Sequence, residues 1–157
     1  MPRIERVAGE KMPEPHKTLL VHDNDMTSTL EKFHGGKIHL AVARRQQDGS
    51  FYFREVVLVL SGSEKPVEFG AIKINLALFE PEPRKLILEE RLPLGRILHD
   101  YSVPYTSHPQ AFLRIQSDDF INRELQLQES RWLYGRRNTL TNPKNESLAE
   151  IVEILPP

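Results

Sequence analysis

The chain has 157 residues, a length that suits one domain with one hydrophobic core. Its formal net charge of -1 leaves no global attraction to nucleic acid or to an anionic membrane. The absence of cysteine excludes disulfides and thiolate metal sites, and no apolar run approaches the ~20 residues of a membrane span. We therefore expect a cytoplasmic monomer that binds neither nucleic acid nor a membrane.

The start of the chain is charged and rich in proline. We predict a flexible N-terminal arm over residues 1–17, followed by a single domain over residues 18–157. Residues 23–25 offer helix N-caps, because their side-chain oxygens can accept hydrogen bonds from the first backbone amides of a helix. Apolar residues then recur at spacings of four and three, which predicts a short helix with Met26, Leu30 and Phe33 on one face. Gly35 ends the helix, because glycine adopts the left-handed conformation without steric cost.

The pattern changes to alternating apolar and polar residues from Lys37 onward. This alternation predicts a strand that turns at residues 46–49, a second strand at 51–60, a turn at 61–63 and a third strand at 67–74. Strands joined by such short turns are typical of an antiparallel meander.

The second half of the chain continues the mixture of strands with a few helices. Residues 80–90 are ambiguous between helix and strand. The other predictions are a loop entering a short helix at 93–98, strands at 111–116 and within 125–140, and a closing strand at 147–155. The whole pattern favours an α+β fold with an antiparallel sheet.

Arg54 is an unexpected charge on the second predicted strand. Both faces of that strand are mostly apolar, so we predict that it is central and covered on both sides. A charge removed from water is costly unless it is paired. The partner is either a protein carboxylate, such as Glu55 or Glu150, or an anionic ligand, since the guanidinium fork matches a planar carboxylate.

The closing strand carries a second isolated charge, Glu153, among aliphatic residues. A carboxyl group in such surroundings has a raised pKa, which suits a proton-transfer group. The alternative is an edge strand whose glutamates are solvated and discourage aggregation. The six histidines show no zinc-site spacing, so we expect no bound metal.

Five short segments occur in a characteristic order along the chain. They are Leu19-Leu20 with Asp25–Glu31, Phe53–Leu58, Pro93–Leu98, Leu133–Arg137 and Val152–Pro156. Together they resemble the chorismate pyruvate-lyase (4-hydroxybenzoate synthetase) family, most clearly in the sequence Pro-Leu-Gly-Arg of the third segment. The resemblance covers the chain from Leu19 to its end.

The resemblance implies a six-stranded antiparallel sheet with flanking helices that enclose a ligand. It also implies that Arg54 binds the ring carboxylate together with the backbone amide of Leu94. Met26 lines the pocket, and Glu153 meets the ring hydroxyl. Glu150 is the alternative to Glu153 as the glutamate that faces the ligand. The region 102–131 is longer than in the compact enzymes of that family.

The function implied is a cofactor-independent lyase that eliminates pyruvate from chorismate to give 4-hydroxybenzoate, a step of ubiquinone biosynthesis, with Arg54 and Glu153 as catalytic residues. The ligand would be a small aromatic or cyclohexadiene carboxylate. The same fold is shared with effector-binding domains of transcription regulators. One alternative is therefore a non-catalytic sensor of such an acid, although residues 1–17 are too short for a DNA-binding head. Another is a lyase acting on a related enolpyruvyl acid.

Overall fold

A computed structural model describes residues 2–157 of the chain. The strands are β1 (Arg3–Val7), β2 (Ile38–Asp48), β3 (Phe51–Leu60), β4 (Lys65–Asn75), β5 (Thr106–Gln116), β6 (Trp132–Thr141) and β7 (Ser147–Leu155). The α-helices are α1 (His16–Leu20), α2 (Met26–His34), α3 (Pro81–Glu89), α4 (Leu94–Asp100) and α5 (Asp119–Leu125). No helix within residues 2–157 is both long and apolar enough to cross a membrane.

All seven strands form one antiparallel sheet in the order β1-β5-β6-β7-β4-β3-β2. The α+β prediction with a single antiparallel sheet is confirmed, with seven strands instead of the six that the resemblance implied. The additional strand is β1, which pairs with β5 at one edge. It lies inside the predicted arm 1–17; the division of the chain into an arm and a domain 18–157 stays a prediction.

Helix α2 forms where the spacing predicts it. Asp25 accepts a hydrogen bond from the Ser28 amide at 2.8 Å, and Gly35 ends the helix with a φ of 67°. Met26 and Leu30 are buried as expected, but Phe33 is 52% exposed. Phe33 lies near the C-terminal end of this short helix, where its ring packs edge-on against His34.

Two helices lie in segments that the pattern left open or missed. The ambiguous segment 80–90 is α3, whose proline at the first helical position suits a helix start. Helix α5 was not predicted, because its seven residues are too few to show a helical period. Its N-cap Asp118 accepts a hydrogen bond from the Ile121 amide at 2.9 Å.

Four helices cover one face of the sheet and one helix covers part of the other face. On the first face, α1 and α2 pack over β2 and β3, while α3 and α4 pack over the opposite end of the same face. Helix α5 packs on the second face against β4. Strand β7 lies between β4 and β6, so the alternative of a solvated edge strand for residues 147–155 is wrong. The space between the two helix pairs is where the candidate site lies.

Gly135, in the middle of β6, allows the central strands to pair closely. A Cβ atom at this position would lie 2.3 Å from the backbone oxygen of Glu153, a contact that only a backbone shift can relieve. We expect Gly135→Ala to lower the free energy of unfolding by about 2–3 kcal/mol, measured by urea denaturation.

The matched control is Gly70→Ala on β4. A Cβ atom there meets its nearest neighbour, Val56, at an ordinary 3.4 Å. This variant should unfold within about 0.5 kcal/mol of the unchanged protein. Equal losses in the two variants would contradict the close approach at Gly135.

Candidate functional site

A cavity lies between the sheet and the helices α2 and α4, and the strand register fixes what lines its floor. Arg54 on β3 pairs across the sheet with Ile72 on β4 and then Ile151 on β7. The next row on the same face runs from Val56 through Gly70 to Glu153. All four predicted site residues line this cavity: Met26, Arg54, Leu94 and Glu153. Their proximity is therefore a property of the fold, while their roles toward a ligand stay predictions.

The cavity is small and enclosed mainly by aliphatic side chains. Its volume is about 70 Å³, enough for several waters. Met26, at the start of α2, and Leu94, at the start of α4, form its roof and are both buried. Gly95 lets the two helix starts approach, because a Cβ atom there would lie 3.0 Å from side-chain oxygens of Asp25 and Thr27.

The roof is fixed by a half-buried ion pair between the two helices. Arg96 of α4 donates to the Glu31 carboxylate of α2 at 2.7 Å, and the same carboxylate accepts from the Ile38 amide at 2.9 Å. This arrangement ties both helices to the start of β2. Because a charged hydrogen bond is stronger than a neutral one, it holds the helix starts over the cavity.

Arg54 is 3% exposed and has few partners. Its Nη1 donates to the carbonyl of Ile87 at 3.2 Å, and its Nε has no hydrogen-bond partner within residues 2–157. Both carboxylates suggested as its partner are occupied elsewhere: Glu55 pairs with Arg44 at 2.9 Å and Glu150 with Lys73 at 3.6 Å. The alternative that Arg54 pairs with Glu55 or Glu150 is therefore wrong.

The surroundings of Arg54 disfavour its charge. Burial lowers the pKa of its guanidinium, and the nearby Tyr52 and Glu90 oppose this effect. Glu90 is itself engaged by Arg45, whose Nε donates to it at 2.8 Å. The Tyr52 hydroxyl is buried and has no hydrogen-bond partner within the described residues. A guanidinium so placed has unused capacity for an anion.

Glu153 is buried and is bound by a residue that the site prediction missed. Its carboxylate accepts a hydrogen bond from Arg136 Nε at 2.5 Å, and Arg136 is fully buried. Burial raises the pKa of Glu153, and the Arg136 guanidinium opposes that rise. Glu150 is on the opposite face of β7 with its side chain 57% exposed, so Glu153 is the glutamate that lines the cavity.

Glu68 is a second buried carboxyl group in the same cavity, and no sequence pattern singled it out. It is 5% exposed, and its Oε1 has no hydrogen-bond partner within residues 2–157. Burial, together with the charge of Glu153, raises the pKa of Glu68 well above its ordinary value. Parity along β4 places Glu68 on the face of Gly70 and Ile72, but only the pairing of β3 with β4 shows that this is also the face of Arg54.

No protein-family model matches the sequence, and no curated protein matches it. Solved structures do match the fold. PhnF from Mycobacterium smegmatis has a TM-score of 0.65 at 10% identity, over 86% of this chain and 64% of that chain. A GntR-family transcriptional regulator from Bacillus cereus has a TM-score of 0.56 at 12% identity, over 76% of this chain and 92% of that chain.

A third structure is the ligand-binding domain of a protein from Bordetella bronchiseptica that is assigned to the GntR family of transcriptional regulators. Its TM-score is 0.57 at 10% identity, over 76% of this chain and 85% of that chain. The fold is chorismate lyase-like. At these identities the comparisons show only that the chain shares the chorismate lyase-like fold of these regulator domains.

The predicted lyase activity is wrong. Two of the solved structures named above are described as a GntR-family transcriptional regulator and as the ligand-binding domain of such a protein, and these findings point away from an enzyme. The physical arrangement agrees with this correction, because the Glu153 carboxylate is held by Arg136 instead of being free to exchange a proton with a ligand. The catalytic roles predicted for Arg54 and Glu153 are withdrawn with the activity.

The ion pair between Arg136 and Glu153 should dominate the stability of the site. Glu153→Gln leaves the buried Arg136 charge without its counter-ion, so we expect a loss of about 3 kcal/mol in urea denaturation. Glu150→Gln, on the same strand but solvent-exposed, should change the unfolding free energy by less than about 0.5 kcal/mol. Similar losses in both variants would show that Arg136 does not depend on Glu153.

The raised pKa of Glu68 predicts a pH-dependent stability. The folded chain holds a proton that the unfolded chain releases above its ordinary pKa of 4.5, so the contribution of Glu68 to stability falls as the pH rises from 4.5 through the folded-state pKa. Glu68→Gln removes this dependence. In thermal unfolding across this pH range, the variant should therefore gain stability relative to the unchanged protein as pH increases. A constant difference would contradict the raised pKa.

Proposed function

We propose that this domain binds a small carboxylic acid of aromatic or cyclohexadiene type and serves as a non-catalytic, effector-sensing domain. The observation that carries the proposal is Arg54, a buried guanidinium at an apolar cavity that, within the described part of the chain, has one carbonyl partner and an unpartnered Nε. An anionic ligand would supply the missing partner.

The energetic argument rests on the cost of burying a charge. A buried cation without a counter-ion is unfavourable by several kcal/mol, and a cation paired with hydrogen bonds recovers much of that cost. Glu90 reduces the cost only in part, because Arg45 shares its carboxylate. A ligand carboxylate can take two parallel hydrogen bonds from a guanidinium, which also fixes its orientation. The site therefore favours a planar anion over a neutral ligand.

The remaining walls favour a ring over a flexible chain. Val56, Ile72, Leu98, Leu140 and Ile151 present aliphatic surface around the floor and sides. Apolar surface of this kind gains free energy by covering a flat hydrocarbon ring. Met26 would then contact the ring from the roof, and the Leu94 amide, at the first turn of α4 where amides have no helical partner, would join Arg54 at the carboxylate.

Sensing is favoured over turnover by the state of the polar groups. Glu153 already has a charged partner, and the related folds belong to transcriptional regulators, one of which is described as a ligand-binding domain. Binding energy in a sensor is used to shift a conformational equilibrium and needs no acid or base. The predicted monomeric state stays part of this proposal.

The test is a thermal-shift titration with benzoate and 4-hydroxybenzoate. A ligand that binds the folded state stabilises it by about 2.7 kcal/mol at a concentration 100 times its Kd. Arg54→Met should lower affinity for both acids at least tenfold. The same variant should be as stable as the unchanged protein without ligand, or more stable, because it removes a buried and poorly paired charge.

Arg44→Met is the control, since Arg44 is 60% exposed and pairs with Glu55 outside the cavity. It should leave the affinity unchanged. Unaltered binding in Arg54→Met, or no stabilisation of the unchanged protein by any such acid, would overturn the proposed function.

A further inference from the structure

Two buried ionisable side chains line the cavity, and each has a polar atom that is free to form a further hydrogen bond. Within residues 2–157, Nε of Arg54 and Oε1 of Glu68 have no hydrogen-bond partner. Both line the same enclosed space. A buried polar atom left unpaired costs roughly 1–3 kcal/mol, so two such atoms around one cavity indicate a ligand that satisfies both.

The strand register places these two side chains at different positions along the cavity floor. Arg54 pairs with Ile72, and Gly70 lies two residues further along β4, roughly 7 Å away at the rise of a strand. The Glu68 carboxylate leans over Gly70: its Oε2 lies 3.5 Å from the position that a Gly70 Cβ would take. Arg54 and Glu68 therefore lie at different positions along the same cavity, where one ligand can reach both.

Glu153 is less available than Glu68 for the far end of such a ligand. Its Oε2 is held by Arg136, which also donates to the carbonyls of His22 and Asn24 at 2.7 Å and 2.9 Å. A ligand that took this carboxylate would compete with a fully buried guanidinium. Glu68 has no ion pair within residues 2–157 and would lose nothing by accepting or donating a hydrogen bond.

We propose that Glu68, and not Glu153, recognises the end of the ligand opposite the carboxylate, and that this end carries an uncharged hydroxyl group. The inference rests on the proposed function, because it assumes that Arg54 holds the carboxylate. A hydroxyl can both donate and accept, which matches a carboxyl group that keeps its proton. An ammonium group is less suitable, since a carboxyl group that keeps its proton offers no counter-charge to a cation.

The experiment compares 4-hydroxybenzoate with benzoate by isothermal titration calorimetry on the intact chain. The two acids share the carboxylate and the ring and differ in the hydroxyl alone. One additional hydrogen bond to a buried group corresponds to about a tenfold difference in Kd. We expect the unchanged protein to bind 4-hydroxybenzoate about tenfold more tightly than benzoate.

Two variants assign that preference to Glu68. Glu68→Met has a similar length and no strong hydrogen-bonding group, so the ratio of the two Kd values should fall to about one. Glu68→Gln keeps a donor and an acceptor, and it should keep most of the preference. It also serves if Glu68→Met does not fold.

The outcomes separate this inference from the proposed function. Binding of both acids with equal affinity, or a preference that survives in Glu68→Met or disappears in Glu68→Gln, would overturn the role of Glu68 and leave the Arg54 site standing. A stronger gain for 4-(aminomethyl)benzoate than for 4-hydroxybenzoate would overturn the hydroxyl assignment. Failure of the unchanged protein to bind either acid would overturn both proposals.

Discussion

The buried guanidinium of Arg136 is the constraint on which the candidate site depends. From β6 it binds Glu153 on the neighbouring β7, and it donates to the carbonyls of Leu20, His22 and Asn24 in the segment that joins α1 to α2. One side chain therefore satisfies a buried carboxylate and three backbone oxygens at once. An unpaired carboxylate and unpaired backbone oxygens are both costly inside a protein. The contacts of Arg136 therefore fix the position of the cavity roof and neutralise the charge on its floor at the same time.

This arrangement divides the polar groups of the cavity into two classes. Arg136 and Glu153 neutralise each other and belong to the structure of the domain. Arg54 and Glu68 are buried to a similar extent but keep an unused atom each. Buried polar networks that are only partly satisfied are unfavourable in an empty protein, and they become favourable when a matching ligand arrives. The same division explains why the site suits binding more than proton transfer.

Much of the sheet could be predicted from the sequence because alternation and turn residues are local signals. Strands β3 and β7 occupy 51–60 and 147–155 as predicted, and α2 has the predicted cap and stop. The signal was weaker where elements are short or polar. Strand β1 has only five residues, three of them charged, and α5 has only seven residues, so neither showed a period. Phe33 shares the helical spacing of Met26 and Leu30, but its side chain is exposed.

The sequence by itself determined that Arg54 and Glu153 are charges among apolar neighbours, because the parity of a strand assigns each side chain to a face. It also determined the antiparallel α+β class through the order of strands and turns. Only the tertiary structure decided which charges are partners. The pairing of β6 with β7 places Glu153 beside Arg136. The pairing of β3 with β4 brings Glu68 beside Gly70, in the cavity that Arg54 also lines. Contacts between strands depend on register across the sheet, which no single strand encodes.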